Sequence, residues 1–120
     1  MEFEEYHVRF LLFPFKSLYS FSGEIGLKIH VKFLATIREI TDKSEIELEL
    51  HSGDTVGTAL QALQTLYGAE FKEATTGTTA GGIPKVRFLV NGRDTDFLEG
   101  FATVLKEGDV MVLVPPIAGG

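Results

Sequence analysis

Five consecutive apolar residues, Val110-Met-Val-Leu-Val114, run directly into Pro115-Pro116. A short apolar run without alternation suits a strand covered on both faces, which predicts a place in the middle of a sheet. Proline has no backbone N–H to give to a ladder, so the strand is expected to stop at Val114. The rest of the chain must then supply flanking strands and something to cover them.

Those strands are legible upstream. Lys28-Ile-His-Val-Lys-Phe33 places Ile29, Val31 and Phe33 on one face, the pattern of a half-buried strand. A polar turn at Thr41-Asp-Lys-Ser44 leads into Glu45-Ile-Glu-Leu-Glu-Leu50. Strict alternation there turns Ile46, Leu48 and Leu50 inward and Glu45, Glu47 and Glu49 to water, either as a solvated face or as an acidic docking surface. The two segments are predicted to pair as a hairpin. Asp54 or Thr55 is the expected cap of a helix in which Val56, Ala59, Leu60, Leu63 and Tyr67 recur at helical spacing, with Gly68 as its stop.

Residues 69–84, rich in Thr and Gly, are expected to form a flexible loop. Val86-Arg-Phe-Leu-Val90 resumes a strand, Asn91-Gly92 is a tight-turn signal, and residues 97–105 are irregular with apolar anchors. The order strand, strand, helix, strand, strand is an α+β pattern, with a single helix covering a small sheet.

Composition removes several function classes. The net charge of -6 and the lack of a Lys/Arg cluster argue against a nucleic-acid partner. With no cysteine, the chain has no disulfide framework, cysteine-ligated cluster or cysteine nucleophile, which fits a reducing cytosol and a cytoplasmic location. His7, His30 and His51 lack ligand spacing, so no metal site is expected. The segment at 75–82 lacks the Gly-Lys-Ser/Thr ending of a phosphate-binding loop, and no Ser/His/Asp arrangement is visible.

The chain end is the strongest candidate for chemistry, set against the plain alternative that Gly119-Gly120 is a frayed terminus without a role. Val114-Pro-Pro-Ile-Ala-Gly-Gly120 places two stiffening prolines and then two glycines after the most apolar strand. A tail without side chains can lie extended in a narrow cleft. There a carboxylate on Gly120 could reach the α-phosphate of ATP, become an acyl-adenylate and accept a sulfur or nitrogen nucleophile.

Four segments in this order resemble the MoaD/ThiS sulfur-carrier family, above all its archaeal MoaD-type members, some of which are small protein modifiers. They are Ile29-His-Val-Lys-Phe-Leu-Ala-Thr-Ile-Arg-Glu-Ile40, Gly53-Asp-Thr-Val-Gly-Thr-Ala-Leu60, Leu89-Val-Asn-Gly92, and Leu105-Lys-Glu-Gly-Asp-Val110 continuing into Pro115-Pro-Ile-Ala-Gly-Gly120. The resemblance implies a β-grasp (ubiquitin-like) fold, a mixed sheet of four to five strands on one main helix, with first and last strands paired centrally. It implies a non-catalytic small subunit of molybdopterin synthase type. A MoeB-like, ubiquitin-activating-type enzyme would supply the ATP and adenylate Gly120, next to Gly119, and a sulfurtransferase would provide the sulfur of a thiocarboxylate. A MoaE-type catalytic subunit would then pass that sulfur to a pterin precursor.

The same end group would serve isopeptide bonds to target-protein lysines, or thiolation of tRNA. By the same resemblance, partners would touch Phe33, Ala35, Arg38 and the tail residues Pro115, Pro116, Ile117 and Ala118. The residues themselves leave Phe33 and Ala35 open to packing in the core or at a strand edge.

Residues 27–120 carry the resemblance. Residues 1–26 are an extension, expected to be an added strand or a loose tail, with an acidic start and an aromatic-rich stretch at 8–21. That stretch is too short to span a bilayer, and the acidic start does not suit a secretory signal, so no membrane role is expected. An exposed aromatic patch there would mark a contact. Leu27-Lys-Ile-His-Val also looks like a family N-terminus with Leu in place of Met, which raises the expectation that translation starts at a non-AUG codon there.

Overall fold

The computed structural model describes residues 26–116. In chain order these form β1 (Gly26–Phe33), α1 (Ala35–Thr41), β2 (Glu45–His51), α2 (Val56–Tyr67), α3 (Ala69–Thr75), β3 (Arg87–Val90), β4 (Arg93–Asp94), two 3-10 turns and β5 (Val110–Val114). The readings of residues 1–25 and of Ile117, Ala118, Gly119 and Gly120 lie outside the described residues.

The five strands make one sheet in the order β2-β1-β5-β3-β4. β1 and β5 run parallel at its centre, with Val31 beside Met111 and Phe33 beside Leu113. β2 pairs antiparallel with the outer edge of β1, and β3 with the other edge of β5. Side chains alternate along each strand, so this register collects Ile29, Val31, Phe33, Leu48, Leu50, Phe88, Val90, Met111 and Leu113 on one face, all buried. α2 lies across that face through Val56, Ala59, Leu60 and Leu63.

Local chemistry starts and stops the main helix. The Thr55 hydroxyl accepts the Thr58 N–H at 3.2 Å, and the Thr58 hydroxyl accepts the Thr55 N–H at 3.4 Å, so each residue satisfies a donor that the first turn leaves open. Of the two cap candidates, Asp54 instead accepts the His51 N–H at 2.9 Å. Gly68, at φ 94°, ends the helix and begins α3. Asn91 and Gly92, both at positive φ (52° and 86°), make the tight β3–β4 turn that their sequence signals.

Four expectations are corrected. β1 and β2 are antiparallel neighbours, but a helix, α1, and not a polar turn alone, joins them. Residues 69–84 are a loop only from 76 onward. Phe71 and Thr75, one turn apart, are buried, and that burial holds α3 in place. An isolated helix of seven residues is below the roughly 12–15 that are even marginal in water, whereas burying a Phe contributes about 1.5–3 kcal/mol. Among the described residues the helix count therefore rises from one to three, with α2 the longest of them. Finally, β5 is covered on one face only: Met111 and Leu113 are buried, while Val110, Val112 and Val114 are half-buried on the opposite face. Among the described residues no helix is long and apolar enough to cross a membrane.

Candidate functional site at the tail exit

β5 carries the chain out of the sheet between two neighbours. Leu113 is level with Phe33 on β1, and Val114 is level with Arg87 on β3. Val114 and Pro115 are half-buried and Pro116 is exposed, so the chain meets solvent within three residues of the sheet centre. A strand hydrogen-bonded on both sides cannot swing, and Pro115 and Pro116 restrict the backbone beyond it. The exit direction is thereby fixed by the fold.

Beneath the exit lies an aromatic base. The Phe33 ring is fully buried and stands edge-on to Tyr67 and Phe71, with centroids 5.8 and 6.1 Å away. Such geometry sets the electropositive ring edge against the electronegative face. Phe33 is thus inaccessible to a partner, which corrects its implied role as a contact: it supports the exit from below. The same burial raises the Tyr67 pKa above its ordinary 10.0, because the phenolate would lose hydration.

Beside the exit, α1 packs on β1 and β5 through Ile37 and presents Ala35 and Arg38 to solvent. Ala35 begins the helix at φ 51°, a conformation that costs a residue with a Cβ about 1–2 kcal/mol. The exposed Arg38 guanidinium makes no ion pair or hydrogen bond among the described residues. It is a donor fork available to a partner carboxylate or phosphate. On the other side of the exit, Arg87 is engaged by Asp94 at 3.1 Å and Asp96 at 3.3 Å. Arg38, Ala35, Pro115 and Pro116 therefore share one end of the molecule.

The outer face of the sheet adds residues that sequence reasoning missed. Leu89 lies level with Val112, and with Val110 and Val114 these half-buried side chains form an apolar strip that ends at the tail. Next to it, Lys28 faces Glu49, His30 faces Glu47 and Lys32 faces Glu45. His30 Nδ1 also lies 3.6 Å from Glu45 Oε2. The three glutamates share the outer face as expected, with Glu45 and Glu47 exposed and Glu49 half-buried. A period-two reading of the last strand would have found the strip, because residues 110, 112 and 114 occupy one face in any strand. Among the described residues no group of three or more His, Cys, Asp or Glu side chains is placed to hold a metal.

A mixed sheet with its first and last strands parallel at the centre, a main helix on one face, and a tail leaving the last strand defines a β-grasp, ubiquitin-like protein. The model of the ThiS family matches residues 31–120, and the chain belongs to that family. It is 34% identical over 95 residues to small archaeal modifier protein 3 of Haloferax volcanii, covering 78% of this chain and all of that one. The sulfur carrier protein CysO of Mycobacterium tuberculosis is 31% identical over 70 residues, 58% of this chain and 75% of its own. The molybdopterin synthase sulfur carrier subunit of the same organism is 27% identical over 95 residues, 78% and 99% of the two chains. Among solved structures, a Haloferax volcanii protein determined in solution superposes with a TM-score of 0.65 at 32% identity, over 79% of this chain and 88% of the other.

Proposed function

We propose that the chain is a sulfur carrier of the molybdopterin synthase type, working through the carboxylate of Gly120. The observation that carries this reading is the run of the central strand β5 into Pro115 and Pro116, beside the accessible Arg38 and the outer apolar strip. A rigid exit aims the tail, and the strip gives an activating enzyme a surface to grip while the carboxylate reaches its active site.

The chemistry is an acyl exchange. A carboxylate oxygen of Gly120 attacks the α-phosphorus of an ATP held by a MoeB-like adenylating enzyme, and pyrophosphate leaves. A persulfide on a sulfurtransferase then attacks the acyl carbon and expels AMP. A thiol that cleaves the S–S bond of the resulting acyl disulfide releases a C-terminal thiocarboxylate and leaves the transferase cysteine in a disulfide with that thiol. With a MoaE-type catalytic subunit, that sulfur passes to a pterin precursor and water restores the carboxylate oxygen. The chain itself supplies the acyl group and its presentation, and the partner supplies the nucleotide site.

A second reading has its own support. The relative matched over its full length at 34% identity is a protein modifier. In that case a lysine amine of a target protein attacks the same adenylate, and an isopeptide bond forms at Gly120. Intact-mass spectrometry after incubation with an adenylating enzyme, ATP and a sulfur donor separates the two. Replacement of one oxygen by sulfur supports carriage, and adducts on lysines of added proteins support tagging. If neither product forms, and a chain lacking Gly120 behaves identically, the carboxylate is not the working group.

A further inference from the structure

A second exposed apolar surface lies away from the tail, in the connection between β4 and β5. Phe97 is 80% exposed, Phe101 55% and Val104 52%, although each would gain from burial. Phe97 and Phe101 sit on the two consecutive 3-10 turns, Thr95–Phe97 and Gly100–Ala102. Phe101 is fixed from below by the Phe88 ring, 5.5 Å away, and by Gly57, where a Cβ would come within 3.3 Å of the Phe101 carbonyl oxygen. Phe101 also lines a solvent-open cavity of about 320 Å³ together with Val86, Phe88 and Asp96. The stretch that carries the patch, residues 94–109, holds the acidic residues Asp94, Asp96, Glu99, Glu107 and Asp109 and the basic residue Lys106, with Asp94 and Asp96 engaged by Arg87.

We infer that residues 8–21 of the same chain dock on this Phe97–Phe101–Val104 surface. Chemistry, position and tethering support this occupant. Residues 8–21 hold Val8, Phe10, Leu11, Leu12, Phe13, Phe15, Leu18, Tyr19 and Phe21, and their charged side chains are Arg9 and Lys16, without an acidic residue. An apolar and basic segment complements an apolar surface borne by a stretch in which acidic residues outnumber basic ones.

The chain also enters the fold at this place. Gly26 is level with His51, the Asp54 N–H donates to the His51 carbonyl at 3.0 Å, and the Leu105 N–H donates to the Asp54 carbonyl at 3.0 Å. The Lys28 N–H donates to Glu107 Oε1 at 2.9 Å. Residue 21 precedes Gly26 by five residues, a reach of up to about 17 Å, enough to bring the segment onto Val104 and beyond. Linkage of this kind gives an effective concentration on the order of millimolar, so docking within one chain outcompetes docking between chains at micromolar protein. Because β1 and β5 are parallel, the entry lies at the end of the sheet opposite the exit at Val114.

The chain has no cysteine, so one introduced thiol carries a nitroxide at a single place. With the label on Ala102→Cys, amide signals of residues 8–21 are expected to lose intensity selectively. A label on Glu47→Cys, on the outer face of the sheet, is expected to leave them at the level of the unlabelled chain. The loss should be relieved by Phe101→Ser, and independently by Glu99→Lys, which keeps the apolar patch intact. Equal loss from both label sites overturns the inference, as does no loss from either. Loss that appears only when labelled chains are mixed with separate isotope-enriched chains assigns the surface to a second copy and overturns it too.

Discussion

Phe33 shows how one side chain serves the tail without touching a partner. It closes a cluster of three rings beneath the exit, so removing it leaves Tyr67 and Phe71 facing a void. Phe33→Ala is expected to cost about 3–5 kcal/mol, which chemical denaturation would read as a lower midpoint with an unchanged slope. Tyr67 gives the same cluster a pH signature. Its pKa is raised by burial, so above pH 10 an unfolded chain releases the phenolic proton while the folded chain still holds it. The unfolded state then binds fewer protons, and stability falls as pH rises from the ordinary tyrosine value through the higher folded one. Tyr67→Phe removes that component. Its melting temperature should decline less steeply than the wild type's between pH 9 and 11, and identical slopes would place Tyr67 outside the linkage.

Among the elements, long periodic ones were legible and short ones were not. The strands at 28–33 and 45–50 and helix α2 declared themselves through repeated spacing, and the turn residues Asn91 and Gly92 through backbone chemistry. α1 and α3 span seven residues each, too short for a period to stand out, and neither has a side-chain cap. α3 was further masked by the Thr/Gly-rich composition that follows it. Its one clear signal was Phe71, an apolar residue in a polar stretch that only tertiary packing explains. The tail and Arg38 came from pattern and resemblance, whereas the outer strip was hidden because an all-apolar strand suggests two covered faces. α1 also contains a testable strain. Ala35 at φ 51° is a position that glycine occupies without a steric cost, against about 0.4–1 kcal/mol of extra chain entropy in the unfolded state. Ala35→Gly should therefore be neutral or stabilising by up to about 1 kcal/mol, and Ala35→Val, with a branched Cβ, destabilising by more than 1 kcal/mol. Thermal melts of the pair would show whether α1 starts in this conformation in solution.

At the scale of the whole molecule, the fold divides its surface by job. The helical layer seals one face of the sheet, and the open face sorts its side chains by strand: charged residues over β1 and β2, and over β5 an apolar strip that Leu89 of β3 widens and Arg87 of β3 borders at the exit. The apolar half leads to Pro115, so a protein that grips it is led along β5 to the tail. A charge placed there should separate recognition from folding. Val112 is half-buried, level with Lys32 on one side and Leu89 on the other. In Val112→Glu the new carboxylate can stay hydrated at the surface and lies beside an ammonium group, so the fold should survive with a loss of about 1 kcal/mol. A partner would have to desolvate the same carboxylate against Leu89 and Val114, at a cost of several kcal/mol. Adenylation should then require at least about tenfold more carrier for half-maximal rate, equivalent to 1.4 kcal/mol of lost binding, with the rate at saturation unchanged. Glu47→Lys, on the charged half of the same face, should shift that concentration much less. Equal effects from the two substitutions would mean that the activating enzyme reads the overall charge of the sheet, and that the strip along β5 plays no part in guiding the tail.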